Sequence, residues 1–167
     1  MTAPGYGALL AGVDPAAVQS AAAALLDPKA ASIVVVGEAK AFVDDLQNAL
    51  GGRTVSAYAV NYPASYDFLQ SAPAGADDAS AHIQATAAAC PNTSIVVGGY
   101  SQGAAVVDLI TADPGAAFGF GRPMPPAVAD HVDAVAVFGN PSNKIGRPLT
   151  AISPLYGSKT IDLCNGA

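Results

Sequence analysis

The strongest constraint on the fold is residues 95–107, where an apolar run enters a Gly-x-Ser-x-Gly turn and a helix-forming apolar run leaves it. This order predicts a buried strand, a sharp turn and a helix, with Ser101 in the turn. Gly99 and Gly103 flank the serine, because the strand and helix backbones of such a turn pass too close together for side chains. The turn lifts the serine oxygen clear of the sheet, so Ser101 is predicted to be a nucleophile.

Gln102 follows the serine at the predicted start of the helix. Backbone amides there have no partner within the helix, and the helix dipole favours negative charge. The amide of Gln102 is therefore predicted to stabilise the oxyanion of an acyl-transfer reaction. The alternative is an ordinary turn serine, since the pattern alone is short, but the flanking strand and helix favour a nucleophile.

The composition fits one soluble globular domain. The chain has 167 residues, of which 51% are hydrophobic and 12% charged, and its net charge is -6. That apolar content can fill a sizeable core, whereas an acidic surface cannot neutralise phosphates, so nucleic-acid binding is not expected. No uncharged apolar run approaches the roughly 20 residues that a membrane-spanning helix needs.

The N-terminus and the cysteines bear on the cellular compartment. No Lys or Arg precedes the first short apolar stretch, which is a poor match to a signal peptide. Cys90 and Cys164 stand in no Cys-x-x-Cys or Cys/His spacing, so no metal site is expected. A disulfide and two free thiols both remain open.

Strands and helices alternate along the chain, which predicts a mainly parallel sheet with helices on both faces, an α/β fold of the three-layer α/β/α type. The predicted strands are residues 32–36, 53–60, 94–97, 132–138 and 159–163. The predicted helices are residues 14–27, 38–50, 77–89 and 101–110, and the predicted loops are residues 61–65, 112–126 and 139–154. Ligand sites of such sheets lie beyond the carboxyl ends of the strands, where the Ser101 turn falls.

Five short motifs in order resemble the cutinase family of serine esterases, with the closest likeness to mycobacterial cutinase-like proteins. They are Val60-Asn-Tyr-Pro-Ala-Ser65, Cys90-Pro-Asn-Thr93, Gly99-Tyr-Ser-Gln-Gly-Ala104, Val135-Ala-Val-Phe-Gly-Asn-Pro141 and Ile161-Asp-Leu-Cys164. The resemblance implies an α/β-hydrolase-type fold with a five-stranded parallel sheet, export from the cell, and hydrolysis of carboxylic esters by a Ser, Asp and His triad. It implies neither a metal nor an organic cofactor.

The resemblance covers about residues 37–167. Residues 1–31 are accordingly predicted to be a divergent N-terminal helical segment. Residues 32–167 are predicted to be a cutinase-like α/β domain that lacks its C-terminal end.

The resemblance also implies roles for single residues. Ser101 matches the nucleophile, and Gln102 matches the residue whose amide forms half of the oxyanion hole. The family's second donor is a hydroxy residue after an early strand, where this chain has Gly37 and Glu38. Cys90 and Cys164 each match one cysteine of a family disulfide, and both partner cysteines are missing.

The triad aspartate of the family would stand four residues beyond Cys164, one position after Ala167, with the histidine further on. Both are therefore expected to be absent from this chain. A base must lie within about 3 Å of the serine oxygen. His82, in the middle of a predicted helix, and His131, before the fourth strand, are both expected to be structural.

Two acidic and two aromatic residues are predicted to lie outside the catalytic machinery. Asp108, two turns beyond Ser101, is expected to point elsewhere, and Asp162 is expected to point at a helix layer or the surface. Neither is expected to be the triad acid. Tyr62 and Phe138 lie near predicted strand ends, and core packing is favoured for them over lining an acyl pocket.

Two functional hypotheses remain. The first is a monomeric carboxylic-ester hydrolase of the cutinase type that forms an acyl-enzyme on Ser101 and acts on small or lipid-like esters. The second is a catalytically inactive relative that serves as a binding or antigen-like module. The missing C-terminal end favours the second hypothesis, because loss of triad members leaves little rate enhancement.

Overall fold

The computed structural model describes residues 30–36, 40–51, 53–116 and 121–163. Five strands form one sheet in the order β2-β1-β3-β4-β5, and every neighbouring pair is parallel. The strands are β1 (Ala30–Val36), β2 (Thr54–Ala59), β3 (Ser94–Tyr100), β4 (Val132–Phe138) and β5 (Thr160–Leu163). The described α-helices are α1 (Lys40–Ala49), α2 (Phe68–Ala89), α3 (Gln102–Thr111), α4 (Pro141–Lys144) and α5 (Leu149–Ile152). None of them combines the length and apolar character that a bilayer crossing needs.

The predicted α/β class and the five-stranded parallel sheet are confirmed. Strand β4 has its predicted bounds, but β3 ends at Tyr100 rather than at residue 97. Gly99, assigned to the turn from the sequence, still pairs within the sheet. Gly99 lies in register with Val36 on one side and Val137 on the other. The turn is therefore tighter than the sequence pattern suggests.

The predicted start of the second described helix is wrong. Helix α2 begins at Phe68 instead of residue 77, although Pro73 and Gly75 lie inside it. Proline early in a helix removes one backbone hydrogen bond, and glycine weakens a helix by about 1 kcal/mol. The buried face of α2 offsets both costs, since Ala72, Gly75 and Ala76 pack in the interior.

The predicted loop over residues 139–154 is also partly wrong, because it contains α4 and α5. Asn140 caps α4, and its side-chain oxygen accepts a hydrogen bond from the amide of Ser142 at 3.0 Å. Pro141 occupies the first helical position, where its missing N–H costs nothing. The helix predicted over residues 14–27 lies outside the described residues.

Alternating residues of β3 and β4 face two different layers. Ile95, Val97, Val135 and Val137 are fully buried in one core with residues of α2 and α3. Val96, Ala136 and Phe138 are buried outside that core, on the opposite face of the sheet. The right-handed crossover from β1 to β2 places α1 on this second face. Both faces of the sheet are thus covered.

The strand order fixes where the carboxyl ends meet. The chain moves outward from β1 to β2, then returns past β1 to β3 and continues to β4 and β5. The direction reverses between β1 and β3, where Val36 is in register with Gly99. Ligands of α/β sheets bind at the carboxyl edge near such a reversal. The Ser101 turn lies at this edge.

Helices α2 and α3 approach closely at Gly75. A β-carbon there would lie 2.9 Å from Val106 Cγ2 and 3.0 Å from Cγ of Tyr62. We predict that Gly75→Ala lowers the free energy of unfolding by about 1–3 kcal/mol, because overpacking outweighs the better helix propensity of alanine. Urea unfolding measures the change. A control on the exposed side of α2, Ala81→Gly, should cost about 1 kcal/mol from propensity alone. A Gly75→Ala variant more stable than wild type would contradict the packing argument.

Candidate active site

Ser101 occupies a strained position between β3 and α3. Its backbone has φ 52° and ψ -113°, in the half of conformational space that non-glycine residues avoid, and its side chain is exposed. Such a conformation costs on the order of 1–3 kcal/mol and persists only where surrounding contacts hold it. One such contact is the hydrogen bond from the Ser101 amide to the carbonyl oxygen of Phe138, at 2.9 Å.

Gly99 accounts for the tightness of the turn. A β-carbon at this position would lie 2.3 Å from the carbonyl oxygen of Gly103 and 2.8 Å from the amide nitrogen of Ala104. These are backbone atoms of α3, so no side-chain rotation could relieve the clash. Any residue larger than glycine would push β3 and α3 apart and displace the serine between them.

Gln102 is the first residue of α3, and its side chain ties the turn to a neighbouring loop. Its Nε2 donates to the carbonyl oxygen of Ser65 at 2.7 Å, and its Oε1 accepts from Ser71 Oγ at 3.2 Å. Ser71 Oγ in turn accepts from the amide of Ser65 at 3.1 Å. The loop before α2 is thereby held against the start of α3.

Exposed apolar side chains follow this loop. Tyr66 is fully exposed, and Leu69 and Phe68 are 73% and 45% exposed. Tyr66 directly follows Ser65, which contacts Gln102, and Phe68 and Leu69 begin α2 shortly after it. Ala64, in the same loop, has φ 49° and is the other described non-glycine residue with a positive φ. An apolar surface therefore adjoins the Ser101 turn.

A buried polar cluster lies on the other side of the turn, where α3, α4 and β5 meet. Asp108 is 4% exposed, and it accepts hydrogen bonds from Ser142 Oγ at 2.5 Å and from Asn140 Nδ2 at 3.1 Å. Asp162 accepts from Asn143 Nδ2 at 2.8 Å and from the amide of Leu149 at 2.7 Å. Asn140 Nδ2 also reaches Asp162, at 3.3 Å.

Burial raises the pKa of Asp108 to about 6, and the nearby negative charge of Asp162 adds to the rise. The hydrogen bonds from Ser142 and Asn140 act in the opposite direction, because they stabilise the carboxylate. The sequence analysis predicts no contacts for Asp108, and it does not identify Asn140 and Ser142 as its hydrogen-bond donors. The available signal was an aspartate on an otherwise apolar helix, since a buried carboxylate needs donors.

Comparison with known proteins supplies the family. The family model for cutinase matches residues 20–167. The chain belongs to the cutinase family. The resemblance predicted from five motifs is confirmed, and the match begins earlier than Gly37, where the motif-based resemblance starts.

Two cutinase-family relatives come from Mycobacterium tuberculosis. The chain is 58% identical over 135 residues to "Carboxylesterase Culp1", covering 77% of this chain and 57% of the relative. It is 52% identical over 126 residues to "Phospholipase Culp4", covering 75% of this chain and 55% of the relative. The chain thus spans just over half the length of these relatives.

Among solved structures, a Trichoderma reesei cutinase in complex with a phosphonate inhibitor has a similar fold. The TM-score is 0.62 and the sequence identity 24%, with 96% of this chain and 80% of that chain covered. At this identity the likeness supports the fold alone. It agrees with the parallel sheet and its covering helices.

The two histidines of this cutinase-family chain lie away from the turn. His131 ends a short 3-10 helix (Pro126–His131) before β4, so the length of that strand, roughly 20 Å, separates it from the edge that carries Ser101. His82 stacks on Tyr58 of edge strand β2, with ring centroids 3.6 Å apart. Tyr58 is in register with Val97, which lies two strands across the sheet. Val97 itself precedes Ser101 by roughly 13 Å along the strand direction. Both histidines are thus remote from the Ser101 turn.

The remaining predicted residues are distributed as follows. Phe138 is buried at the end of β4, and Tyr62 is half-buried against the core beside Gly75. Cys90 is exposed at the end of α2, and Cys164 lies outside the described residues. Within the described part of the chain, no three His, Cys, Asp or Glu side chains converge as metal ligands.

Replacing the glycine before the serine tests the turn. We predict that Gly99→Ala lowers the free energy of unfolding by about 3 kcal/mol or more, because two backbones must separate. Thermal or urea unfolding reports the loss. Gly115→Ala serves as the control, since a β-carbon there meets only the flexible Asp113 side chain, at 3.3 Å. Equal stability of the two variants would refute the close approach.

The raised pKa of Asp108 predicts a pH-dependent stability. Between about pH 4 and pH 6 the folded protein keeps a proton that the unfolded chain releases, so ionisation of Asp108 reduces stability as pH rises through this window. Asp108→Asn removes this effect, so its stability relative to wild type should rise by on the order of 2 kcal/mol as pH increases from 4 to 7. Urea unfolding at several pH values measures the difference. An NMR titration midpoint for Asp108 below about 4.5 would contradict the assignment.

Proposed function

We propose that this chain is a carboxylic-ester hydrolase of the cutinase type, with Ser101 in a nucleophile elbow. The observation that carries the proposal is the strained, exposed conformation of Ser101 between a buried strand and the first residue of a helix. Strain at an exposed serine costs stability, and such strain clusters at active sites. The 58% identity to a mycobacterial carboxylesterase supports the same chemistry.

In the proposed mechanism a base removes the proton of Ser101 Oγ, and the oxygen attacks the ester carbonyl carbon. The amide of Gln102 and a second donor stabilise the oxyanion. Collapse of this intermediate breaks the bond to the alcohol oxygen, which leaves with the proton from the base. Water then adds to the acyl-enzyme by the same route and releases the acid, which restores the serine.

We place the base and its aspartate in the part of the relatives that this chain does not cover. Three features support this placement: His131 and His82 lie far from the turn, and the chain spans 57% of its carboxylesterase relative. The hydroxy residue that serves the family as second oxyanion donor has no counterpart at its expected place, where this chain has Gly37 and Glu38.

We propose apolar, lipid-like esters as the substrate class. The exposed side chains of Tyr66, Phe68 and Leu69 support it, since they adjoin the loop that contacts Gln102. Exposed apolar residues grouped beside a reactive group favour apolar ligands.

We also propose that the chain acts outside the cell as a monomer, and that Cys90 pairs with a cysteine outside the present sequence, since its family partner has no counterpart here. The exposure of Cys90 supports this, because the thiol is accessible to a partner. Thiol alkylation followed by mass spectrometry of the exported protein tests the pairing, and a freely alkylated Cys90 would argue against it.

The second candidate is a binding module without catalysis, and the distance of both histidines from Ser101 favours it. An alkyl fluorophosphonate separates the two functions, because it reacts with activated serines. For an esterase we expect the full-length protein, which includes the base, to show prompt, stoichiometric labelling of Ser101 and hydrolysis of p-nitrophenyl butyrate, both lost in Ser101→Ala. A binding module would show neither activity.

The matched control for this test is Ser80→Ala, in α2, which removes only an acceptor for Gln84. It should label and hydrolyse like wild type. Hydrolysis that is equal in wild type and Ser101→Ala would remove Ser101 from the mechanism.

A further inference from the structure

Asn140 joins the helix after Ser101 to the last described strand. The residue is fully buried, and its Nδ2 donates to Asp108 of α3 and to Asp162 of β5. Its Oδ1 accepts from the amide of Ser142, so both ends of the side chain are bonded. One asparagine thus connects three elements that are distant in sequence.

This junction adjoins the edge that carries Ser101. The amide of Ser101 donates to Phe138, and the amide of Gly139 donates to the carbonyl oxygen of Leu163 at 2.8 Å. Hydrogen bonds therefore join the carboxyl end of β3 to that of β4, and that of β4 to that of β5, along this edge of the sheet. Leu163 ends β5 at this edge, two strands from the serine.

Asp162 is the acceptor that the junction depends on. A carboxylate only accepts hydrogen bonds, and three donors converge on this one. Oδ2 receives the amide of Leu149 and Nδ2 of Asn140, and Oδ1 receives Nδ2 of Asn143. The loop between β4 and β5 is consequently fixed to the last strand at three points.

We infer that Asp162 is a positioning residue, which with Asn140 holds the carboxyl ends of β4 and β5 against α3 and so fixes the geometry of the Ser101 turn. This inference rests on the proposed function. A residue that acts in this way contacts no substrate, and it changes the reaction through the placement of other groups.

The variant Asp162→Asn separates positioning from stability alone. Its oxygen can keep the donors from Leu149 and Asn140, but its new NH2 group faces the NH2 group of Asn143. The double variant Asp162→Asn with Asn143→Asp restores a donor and an acceptor at that contact. Asp133→Asn is the control, since Asp133 pairs with Ser94 at the opposite edge of the sheet.

Two measurements on the full-length protein that includes the base, made well below the melting temperature, test the inference. The first is the kinetics of Ser101 labelling by an alkyl fluorophosphonate, with the maximal rate and the half-saturating probe concentration determined separately. The second is hydrogen exchange of the Gly139 amide. For Asp162→Asn we expect a maximal rate reduced by about tenfold or more with half-saturation changed less than about threefold. We also expect faster exchange at Gly139.

The double variant should recover both values to within about threefold of wild type, and Asp133→Asn should change neither. If Asp162→Asn fails to fold, Asn143→Ala removes one of its three donors and should shift both values in the same direction. A variant that only melts earlier, with labelling rate and exchange unchanged, would overturn the inference. Absence of labelling in wild type would instead contradict the proposed function. Hydrogen exchange of the Gly139 amide would then be the measurement that tests whether Asp162 is a positioning residue.

Discussion

The approach of the β3 and α3 backbones at Gly99 and Gly103 is the constraint on which the rest of the site depends. The distance of 2.3 Å from a hypothetical β-carbon to the Gly103 carbonyl leaves no room for a side chain. The strand can then turn directly into the helix, with a single residue between them in a strained conformation. The exposed serine and the free helix start beside it both follow from this contact.

Much of the fold could be predicted from the sequence because its signals are local. The β-branched run of β4 has apolar residues on both faces and clear ends, and its bounds were predicted to the residue. Helix α2 was predicted too short because Pro73 and Gly75 oppose a helix locally, whereas burial of Ala72 and Ala76 favours it. Burial depends on contacts with other elements, which local patterns do not contain.

The candidate site likewise has one part that local sequence signals predict and one part that depends on contacts between distant elements. The turn around Ser101 is encoded in adjacent residues, so the glycine spacing together with the flanking apolar runs is enough to predict it. The cluster of Asp108, Asn140 and Asp162 joins residues that are far apart in sequence, and each alone resembles a surface or loop residue. Only the strand order brings them together. The prediction that Asp162 points toward a helix layer agrees with its contacts to α4 and α5, but the contacts themselves required the structure.

The hydrogen bond from Ser101 to Phe138 makes the conformation of the serine depend on a distant part of the chain. Ser101 directly follows β3 and Phe138 ends β4, neighbouring strands that are separated in sequence by α3 and a long connection, so the bond exists only where that loop is closed. The contact that helps to hold the strained Ser101 is therefore present only while β4 is docked beside β3. The geometry of the serine is in this sense a property of the assembled sheet and not of the turn alone.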